Sequence, residues 1–387
     1  MTEKAIRQLF FYVVWAFYSC AYFLLVASSV KLLINVKSIM APVQMATLAG
    51  LGILLIHPNY SIKNIILVVG GLGLSMMIMN REVMILILFA VNAKQINFKE
   101  FLKFDILMKS VWVIMIIGLF FAGVLPNVDG YFYGSYKQSW GFQHPNTFAM
   151  NTYMILMEYL CLKFKKLKLT DAMVFAVGFL IINAITRSRT AGYSFLAILL
   201  VVLVIKIYPK IMEFSLIRLA ILAFVPFLNV LSLVLTVMYG YRSSFILKLN
   251  KLLSGRIFLQ FMYWNRFDVK LFGQNFDSGF ADRYFLDNGY MRALLEFGLV
   301  FLLVLCAAYI ITFYRCMRYK RYELVCLLLF CTLLGFTEST FLKVSVNVSI
   351  LLFFNDSVTN RLMSRVYELL KGLDRPVRKK LMRVMNR

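Results

Sequence analysis

The chain has 387 residues, of which 61% are hydrophobic, and carries a formal net charge of +24. A soluble core cannot bury that much apolar surface, and repeated runs of about 20 apolar residues are typical of a protein that crosses the membrane many times. Because backbone groups inside a bilayer must be paired internally, we expect an all-α fold. The positive charge lies mostly in short connectors and a tail, where it sets topology and attracts anionic headgroups, so nucleic acid is not expected as a partner.

Twelve membrane helices are predicted, in a single transmembrane domain over residues 1–356. The predicted spans are 9–29, 40–57, 64–79, 82–95, 106–125, 146–162, 170–186, 190–208, 214–238, 290–313, 322–337 and 341–356. Only Asn80 and Arg81 lie between the third span and the fourth, which begins at Glu82. A re-entrant pair at this place, or a total of ten spans, is therefore the alternative.

Lysine and arginine clusters set the predicted orientation. They lie in the connectors 94–103, 163–168 and 315–321 and in the basic tail 357–387. Such clusters favour the cytoplasmic side, which places the polar loops 126–145 and 239–289 outside the cell membrane. The larger loop follows the ninth helix and precedes the tenth. The tail is predicted either as an amphipathic helix on the inner leaflet or as a segment that only sets topology.

The first outer loop ends in the sequence Gln143-His144-Pro145-Asn146. Proline suits the first turn of a helix, which puts His144 at a helix N-terminus, a place that favours an anion. His144 and Asn146 are therefore candidates for contacting a sugar or a phosphate. The alternative is an ordinary helix start with an interfacial belt formed by Tyr131, Tyr133, Tyr136 and Trp140.

Arg187 and Arg189 lie on a short turn between two apolar helices, also on the predicted outer side. Guanidinium groups bind phosphate oxygens in a two-pronged geometry and stay charged. We interpret the pair as a pyrophosphate contact. The alternative is a helix end with two arginines that extend toward the membrane surface.

The large outer loop contains Arg256 and Arg283, and it ends in Asp287-Asn288 just before the tenth helix. The alternative to a binding role is a solvated lid of mixed charge. Asp287 is a candidate N-cap of that helix and also a candidate acceptor for the proton of a sugar hydroxyl, and the two roles are compatible.

Motifs for a nucleotide or a metal are absent from the sequence: it contains no Walker A motif, no HExxH and no DxD. We therefore expect neither a metal nor a cofactor. A cationic pocket without a metal can still stabilise a departing pyrophosphate electrostatically.

The motifs together resemble one family of membrane enzymes. They are Gly141-Phe142-Gln143-His144-Pro145-Asn146, Ser188-Arg189-Thr190, Leu253-Ser254-Gly255-Arg256, Leu271-Phe272-Gly273-Gln274, Asp287-Asn288-Gly289-Tyr290 and Glu296-Phe297-Gly298. In this order, and with about twelve helices and one dominant late outer loop, the chain resembles the O-antigen polymerase and ligase superfamily. The resemblance covers most of the chain and is greatest to polysaccharide polymerases of the Wzy type.

The resemblance implies a GT-C-like, metal-independent and inverting glycosyltransferase of the inner membrane, with its active site on the extracytoplasmic side. Such an enzyme moves a glycan from undecaprenyl pyrophosphate to a hydroxyl of a second lipid-linked repeat, with membrane lipids and a chain-length regulator as further partners. Ligases of the superfamily commonly have a His-Asn pair where this chain has Asp287-Asn288. The base is therefore either Asp287 or His144.

In the resulting hypothesis, Arg189 and Arg256, together with Arg187, hold the pyrophosphate, and Asp287 accepts the acceptor's proton. His144 and Asn146 position a sugar or phosphate, and the remaining substrate contacts are Arg283 and Asn288. The alternatives are a flippase or transporter of the same lipid-linked glycan, an O-antigen ligase, or a structural membrane scaffold. A transporter predicts charged residues near the membrane midplane and broken helices.

Overall fold

In the computed structural model, which describes residues 3–56, 62–78, 80–132 and 135–358, the chain forms a bundle of α-helices with one short hairpin. The α-helices are α1 (Glu3–Ala21), α2 (Val36–Leu55), α3 (Ile62–Met77), α4 (Arg81–Asn92), α5 (Phe98–Phe121), α6 (Pro145–Lys163), α7 (Leu169–Thr186), α8 (Arg189–Ile207), α9 (Ser215–Tyr239), α10 (Ser244–Leu252), α11 (Arg256–Trp264), α12 (Ser278–Arg283), α13 (Gly289–Arg292), α14 (Leu299–Arg318) and α15 (Tyr322–Gly335). Strands β1 (Gly130–Phe132) and β2 (Ser135–Lys137) pair antiparallel. The expected all-α class is confirmed.

Seven helices within the described ranges are long and apolar enough to cross a membrane, so the chain is a polytopic membrane protein. They cover Ala5–Ala27, Ser38–Leu55, Phe98–Phe121, Leu169–Thr186, Arg189–Ile207, Ser215–Tyr239 and Leu299–Arg318. Two shorter apolar helices are Ile65–Met77 and Tyr322–Gly335. The described residues thus fall short of twelve spans by this measure. One reason is that α4 has only 12 residues, and another is that α6 contains Asn151 and Glu158.

Two short helices, α4 with 12 residues and α15 with 14 residues, lie at the centre of the bundle. In α4 every residue from Val83 to Asn92 is buried, and α15 is buried continuously from Leu324 to Thr332. A helix that is apolar all round and buried is surrounded by protein rather than lipid. The peripheral helices α3, α7 and α9 instead leave large apolar side chains exposed, as a lipid-facing surface requires.

The last predicted span, 341–356, is not a helix, and this prediction was wrong. Two 3-10 turns, Ser339–Leu342 and Val348–Leu352, flank irregular backbone. Side-chain amides replace the missing helical bonds: Asn347 accepts from the Ser349 N–H and donates to the Phe341 carbonyl. Such local side-chain bonds compete with helix formation. Irregular backbone at membrane depth is tolerated because it is buried in protein.

The same segment nevertheless passes from one end of the bundle to the other. Near its start, Glu338 pairs with Arg256 of the large loop. At its far end, the Asn355 side chain donates to the carbonyls of Ala93 and Ile96, at 2.6 and 2.9 Å, in the connector after α4. The start of this passage therefore brings the Glu338 carboxylate into contact with Arg256, which lies 82 positions earlier in the chain.

The large loop 239–289 contains α10, α11 and α12, and the predicted tenth helix after it is interrupted. A π turn, Ala293–Phe297, and Gly298 at φ +94° separate α13 from α14. The predicted tail 357–387 lies outside the described residues from 359 onward.

Candidate functional site

His144 lies at the start of α6, as the sequence predicts. Its Nδ1 accepts a hydrogen bond from the backbone N–H of Asn146 at 3.1 Å. Pro145 occupies the first helical position, where its missing N–H costs nothing. The backbone N–H of Gln143 donates to the Ala27 carbonyl at 2.9 Å. This bond links the loop to the last residue of the first long apolar helix, Ala5–Ala27. The imidazole therefore has a fixed place at this end of the bundle.

The surroundings of His144 keep its imidazole neutral. Burial, together with the nearby cations Lys137, Arg256 and Lys31, lowers the pKa of His144 from 6.5 to about 4. Because Nδ1 accepts from Asn146, the ring proton lies on Nε2. At neutral pH, His144 is thus suited to donate a hydrogen bond and is a weak base.

The turn between α7 and α8 separates its two arginines. Arg187 ends α7 in a left-handed conformation, with φ +45°, and its side chain is exposed. Arg189 is the first residue of α8 and is partly buried. The hydroxyl of Thr190 lies 3.4 Å from Glu338 Oε1. The turn therefore directs Arg189 and Thr190 to the interior and leaves Arg187 outside.

Arg256 is the first residue of α11, and its side chain is only 5% exposed. Its Nε donates to the Thr337 carbonyl and its Nη2 to Glu338 Oε1, both at 2.7 Å. Asp287 Oδ2 lies 3.6 Å from Nε. A buried cation needs such partners to offset its lost hydration. These bonds fix the guanidinium and still leave it further N–H donors.

Asp287 and Glu338 both lie against Arg256 and form a coupled pair. Burial raises the pKa of Glu338 to about 7, with Arg256 opposing the rise and Asp287 adding to it. Asp287 is 35% exposed, toward a narrow cavity. Poor hydration there raises the pKa of Asp287, against the attraction of Arg256 and Arg292. The pair is therefore able to exchange a proton closer to neutral pH than ordinary carboxylates.

One cavity of about 220 Å³ brings most of the predicted site residues together. It is lined by Lys137, His144, Asn146, Arg189, Thr190, Ser254, Arg256, Leu259, Phe285 and Asp287. Three cations from three separate segments thus surround one carboxylate and one neutral histidine. Such an arrangement suits a ligand with at least two negative charges.

Three predicted site residues, Arg187, Arg283 and Asn288, do not line this cavity. The Arg283 guanidinium lies 5.6 Å from the ring centre of Tyr284. Asn288 is fully buried and caps α13, since its Oδ1 accepts from the backbone N–H groups of Tyr290 and Met291. Asn288, rather than Asp287, is therefore the N-cap. This leaves the Asp287 carboxylate facing the cavity.

Lys137 and Glu338 are polar site residues that sequence reasoning missed. Burial, Arg189 and Arg256 lower the pKa of Lys137, which reports how close the three cations lie. Glu338 lies between the apolar runs 322–337 and 341–356. An acidic residue between two such runs is a signal for function that was available in the sequence.

A second, largely apolar cavity of about 380 Å³ adjoins the first. It is lined by Arg189, Thr190, Tyr193, Ser194, Leu252, Leu253, Leu333 and Thr337. Both cavities share Arg189 and Thr190. A charged compartment beside an apolar one suits an amphipathic ligand.

Comparison with known proteins found no matching family model, no matching curated protein and no matching solved structure.

Proposed function

We propose that this chain is a polysaccharide polymerase, a metal-independent and inverting glycosyltransferase of the Wzy type. It transfers a glycan from undecaprenyl pyrophosphate to a hydroxyl of a second lipid-linked repeat. The observation that carries the proposal is the convergence of Lys137, Arg189 and Arg256 on the cavity that Asp287 also lines. Arg256 has carboxylate partners, whereas Lys137 and Arg189 have none among the described residues, and a diphosphate supplies their counter-charge.

The adjoining apolar cavity supports a lipid carrier. Tyr193, Leu252 and Leu333 line it beside Arg189, which also lines the charged cavity. In the proposal, the diphosphate lies among the cations and the first isoprene units lie along the apolar wall. Burial of those units contributes affinity in proportion to the apolar area removed from water.

The proposed transfer step uses the charged groups that line the cavity. The acceptor hydroxyl oxygen forms a bond to the anomeric carbon while the bond from that carbon to the diphosphate oxygen breaks. The proton of the hydroxyl goes to the Asp287 carboxylate, and the lipid diphosphate leaves with its electron pair against Arg189, Arg256 and Lys137. Cations already in place stabilise the charge on the leaving oxygen without reorganisation. Glu338 holds Arg256 in position.

The proposal includes a GT-C-like bundle with twelve crossings of the inner membrane and the site on the extracytoplasmic face. The non-helical passage from Glu338 to Asn355 and the short helix α4 count among the twelve. The basic connectors at the opposite end, such as 163–168, support a cytoplasmic location for that end. A chain-length regulator remains a proposed partner.

Polymerisation by the purified protein tests the proposal, with Arg189→Ala compared against Arg187→Ala. Wild-type protein in nanodiscs should convert lipid-linked repeat units into a ladder of polymers. Loss of the Arg189 contact should cost about 2–4 kcal/mol of transition-state stabilisation, or roughly 30- to 1,000-fold in rate.

Arg187→Ala is the matched control, because Arg187 carries the same charge two residues away and does not line the cavity. Its rate should stay within about twofold of wild type. If wild-type protein forms no ladder, or if the two variants behave alike, the polymerase proposal fails.

The second candidate function is transport of the same lipid-linked glycan, and a buried ionic cluster favours it. Lys109 Nζ lies 2.7 Å from Asp105 Oδ2 and 2.5 Å from Glu158 Oε1, and the Trp15 Nε1–H donates to Asp105 Oδ1 at 2.7 Å. All four side chains are buried within helices, and three of them are charged, an arrangement that is found in transporters. Translocation of labelled lipid across proteoliposomes without ladder formation would select this candidate.

A further inference from the structure

A further cavity, of about 120 Å³, lies at the end of the bundle opposite the candidate site. It is lined by the first turn of α5, the end of α6 with the turn that follows, and the start of α15. Helix α6 joins the two places, since His144 precedes its first residue and Cys161 lies near its last. Its 19 residues span about 28 Å, so the two cavities are separate sites.

The wall of this cavity combines an apolar floor with charged groups. Phe98, Leu102 and Leu324 are at most 3% exposed and form the floor. The charged groups that line it are Lys99, Lys165, Arg321 and Glu323. Three cations therefore outnumber one carboxylate around a space that accommodates a small anion.

Arg321 is the most buried of the three cations, with a side chain 16% exposed, whereas Lys99 and Lys165 are exposed. Its backbone is fixed, because its carbonyl accepts from the N–H groups of Leu324 and Val325 at the start of α15. Its Nε lies 3.4 Å from Glu323 Oε1, yet this buried Nε makes no hydrogen bond among the described residues. A buried guanidinium donor without an acceptor costs free energy, and an anionic oxygen in the cavity would remove that cost.

We propose that this cavity binds a phosphate group, held by Arg321 with Lys99 and Lys165 at the rim. The guanidinium supplies directional donors and the two lysines supply charge, the combination that binds phosphate oxygens. Basic pockets between transmembrane helices on the cytoplasmic side bind phospholipid headgroups. The phosphate is carried either by an anionic phospholipid or by a soluble ion. The site is independent of the proposed polymerase activity.

The test compares two double variants that each remove two positive charges. Lys99→Gln/Lys165→Gln changes the cavity rim, and Lys166→Gln/Lys168→Gln changes neighbouring lysines that do not line it. Each protein is placed in nanodiscs of phosphatidylcholine with a minor fraction of phosphatidylglycerol, and retained lipid is counted by native mass spectrometry. Wild type and the control variant should each retain one phosphatidylglycerol. The rim variant should bind it at least about tenfold more weakly.

A second arm identifies the source of the phosphate. Inorganic phosphate is added to the protein in pure phosphatidylcholine nanodiscs, and its binding is followed by the melting temperature. A rise in the melting temperature of wild type and control that is smaller in the rim variant supports the site with a soluble ion as its ligand. Equal behaviour of the two double variants in both arms, or no binding in either, overturns the proposal.

Two single variants separate this site from folding effects and from the candidate active site. Arg321→Lys keeps the charge but loses the planar donor geometry, so binding should weaken while the protein stays folded. Arg189→Ala changes the candidate site and not this cavity, so it should keep the part of the phosphate binding that the rim variant loses. Loss of that part in Arg189→Ala would contradict the assignment to this cavity.

Discussion

Arg256 is the residue on which the geometry of the candidate site depends. Its two shortest contacts, to Thr337 and Glu338 at 2.7 Å each, come from a segment about 80 residues later in the chain. These contacts hold the guanidinium near Asp287 and leave the carboxylate of Asp287 toward the cavity. In the proposed reaction, Arg256 binds the diphosphate, Glu338 positions Arg256, and Asp287 accepts the proton.

Asp287→Asn should lower the polymerisation rate by about 10²–10⁴-fold, the usual contribution of a general base. His144→Gln should cost about fivefold, since one neutral hydrogen bond contributes about 1 kcal/mol.

Only a deprotonated carboxylate accepts a proton, so the wild-type rate should rise with pH as Asp287 ionises. Because the pKa of Asp287 is raised from 3.8, this rise should lie above the range of an ordinary aspartate.

The rate of purified variants as a function of pH checks this prediction. Asp277→Asn is the control, because Asp277 lies in the same loop and pairs with Arg266 at the surface. A larger loss in His144→Gln than in Asp287→Asn would assign the base to His144 instead.

At the scale of elements, the candidate site depends on how the large loop is closed onto α14. The Gln274 N–H donates to the Glu296 carbonyl at 2.9 Å, and the Leu299 N–H donates to the Lys270 carbonyl at 3.0 Å. The backbone of the loop lies so close to the backbone of the turn before α14 that glycine is required at two places. A Cβ on Gly273 would lie 2.3 Å from the Glu296 oxygen, and a Cβ on Gly298 would lie 2.3 Å from the Gly273 nitrogen.

Gly273→Ala and Gly298→Ala should each destabilise the loop by about 2–5 kcal/mol. Both glycines have positive φ, +79° and +94°, which costs another residue about 1–2 kcal/mol, and the overlap adds about 1–3 kcal/mol. Faster proteolysis of the loop and a lower melting temperature would show the effect. Gly279→Ala is the matched control, because the nearest atom to its Cβ is at 3.7 Å. If all three variants melt alike, the loop is not held by this contact.

At the scale of the whole molecule, the bundle buries charge as well as apolar surface. The cluster of Asp105, Lys109 and Glu158 connects α5 to α6, and Trp15 adds α1. Because α6 begins at the candidate site, this cluster helps to fix the helix that presents His144. Charges in such a place are kept only when they are paired.

Lys109→Met should destabilise the protein by about 3–5 kcal/mol, because it leaves two buried carboxylates without a counter-charge. Glu158→Gln should cost less, since the pair of Asp105 and Lys109 remains. Thermal unfolding in detergent measures both. Lys103→Met on the same helix is the control, because its pair with Glu100 is exposed and contributes at most about 1 kcal/mol. Equal melting of Lys109→Met and Lys103→Met would mean that water reaches the cluster.

The sequence alone determined the membrane class, the all-α fold and the helix start at His144, since these depend on local hydropathy and on the chemistry of neighbouring residues such as Pro145. It also indicated that Arg189, Arg256 and Asp287 are site candidates, because charges beside apolar runs are costly. It did not determine that these residues line one cavity.

Only the tertiary structure decided which candidates meet. It separated Arg189 from Arg187, assigned the helix cap to Asn288 rather than Asp287, and brought Glu338 against Arg256 across 82 positions of sequence. It also replaced the last predicted helix with an irregular buried passage. The physical reason is that periodicity and propensity act within a few residues, whereas a buried charge is stabilised by whichever partner the packing of distant segments brings within reach.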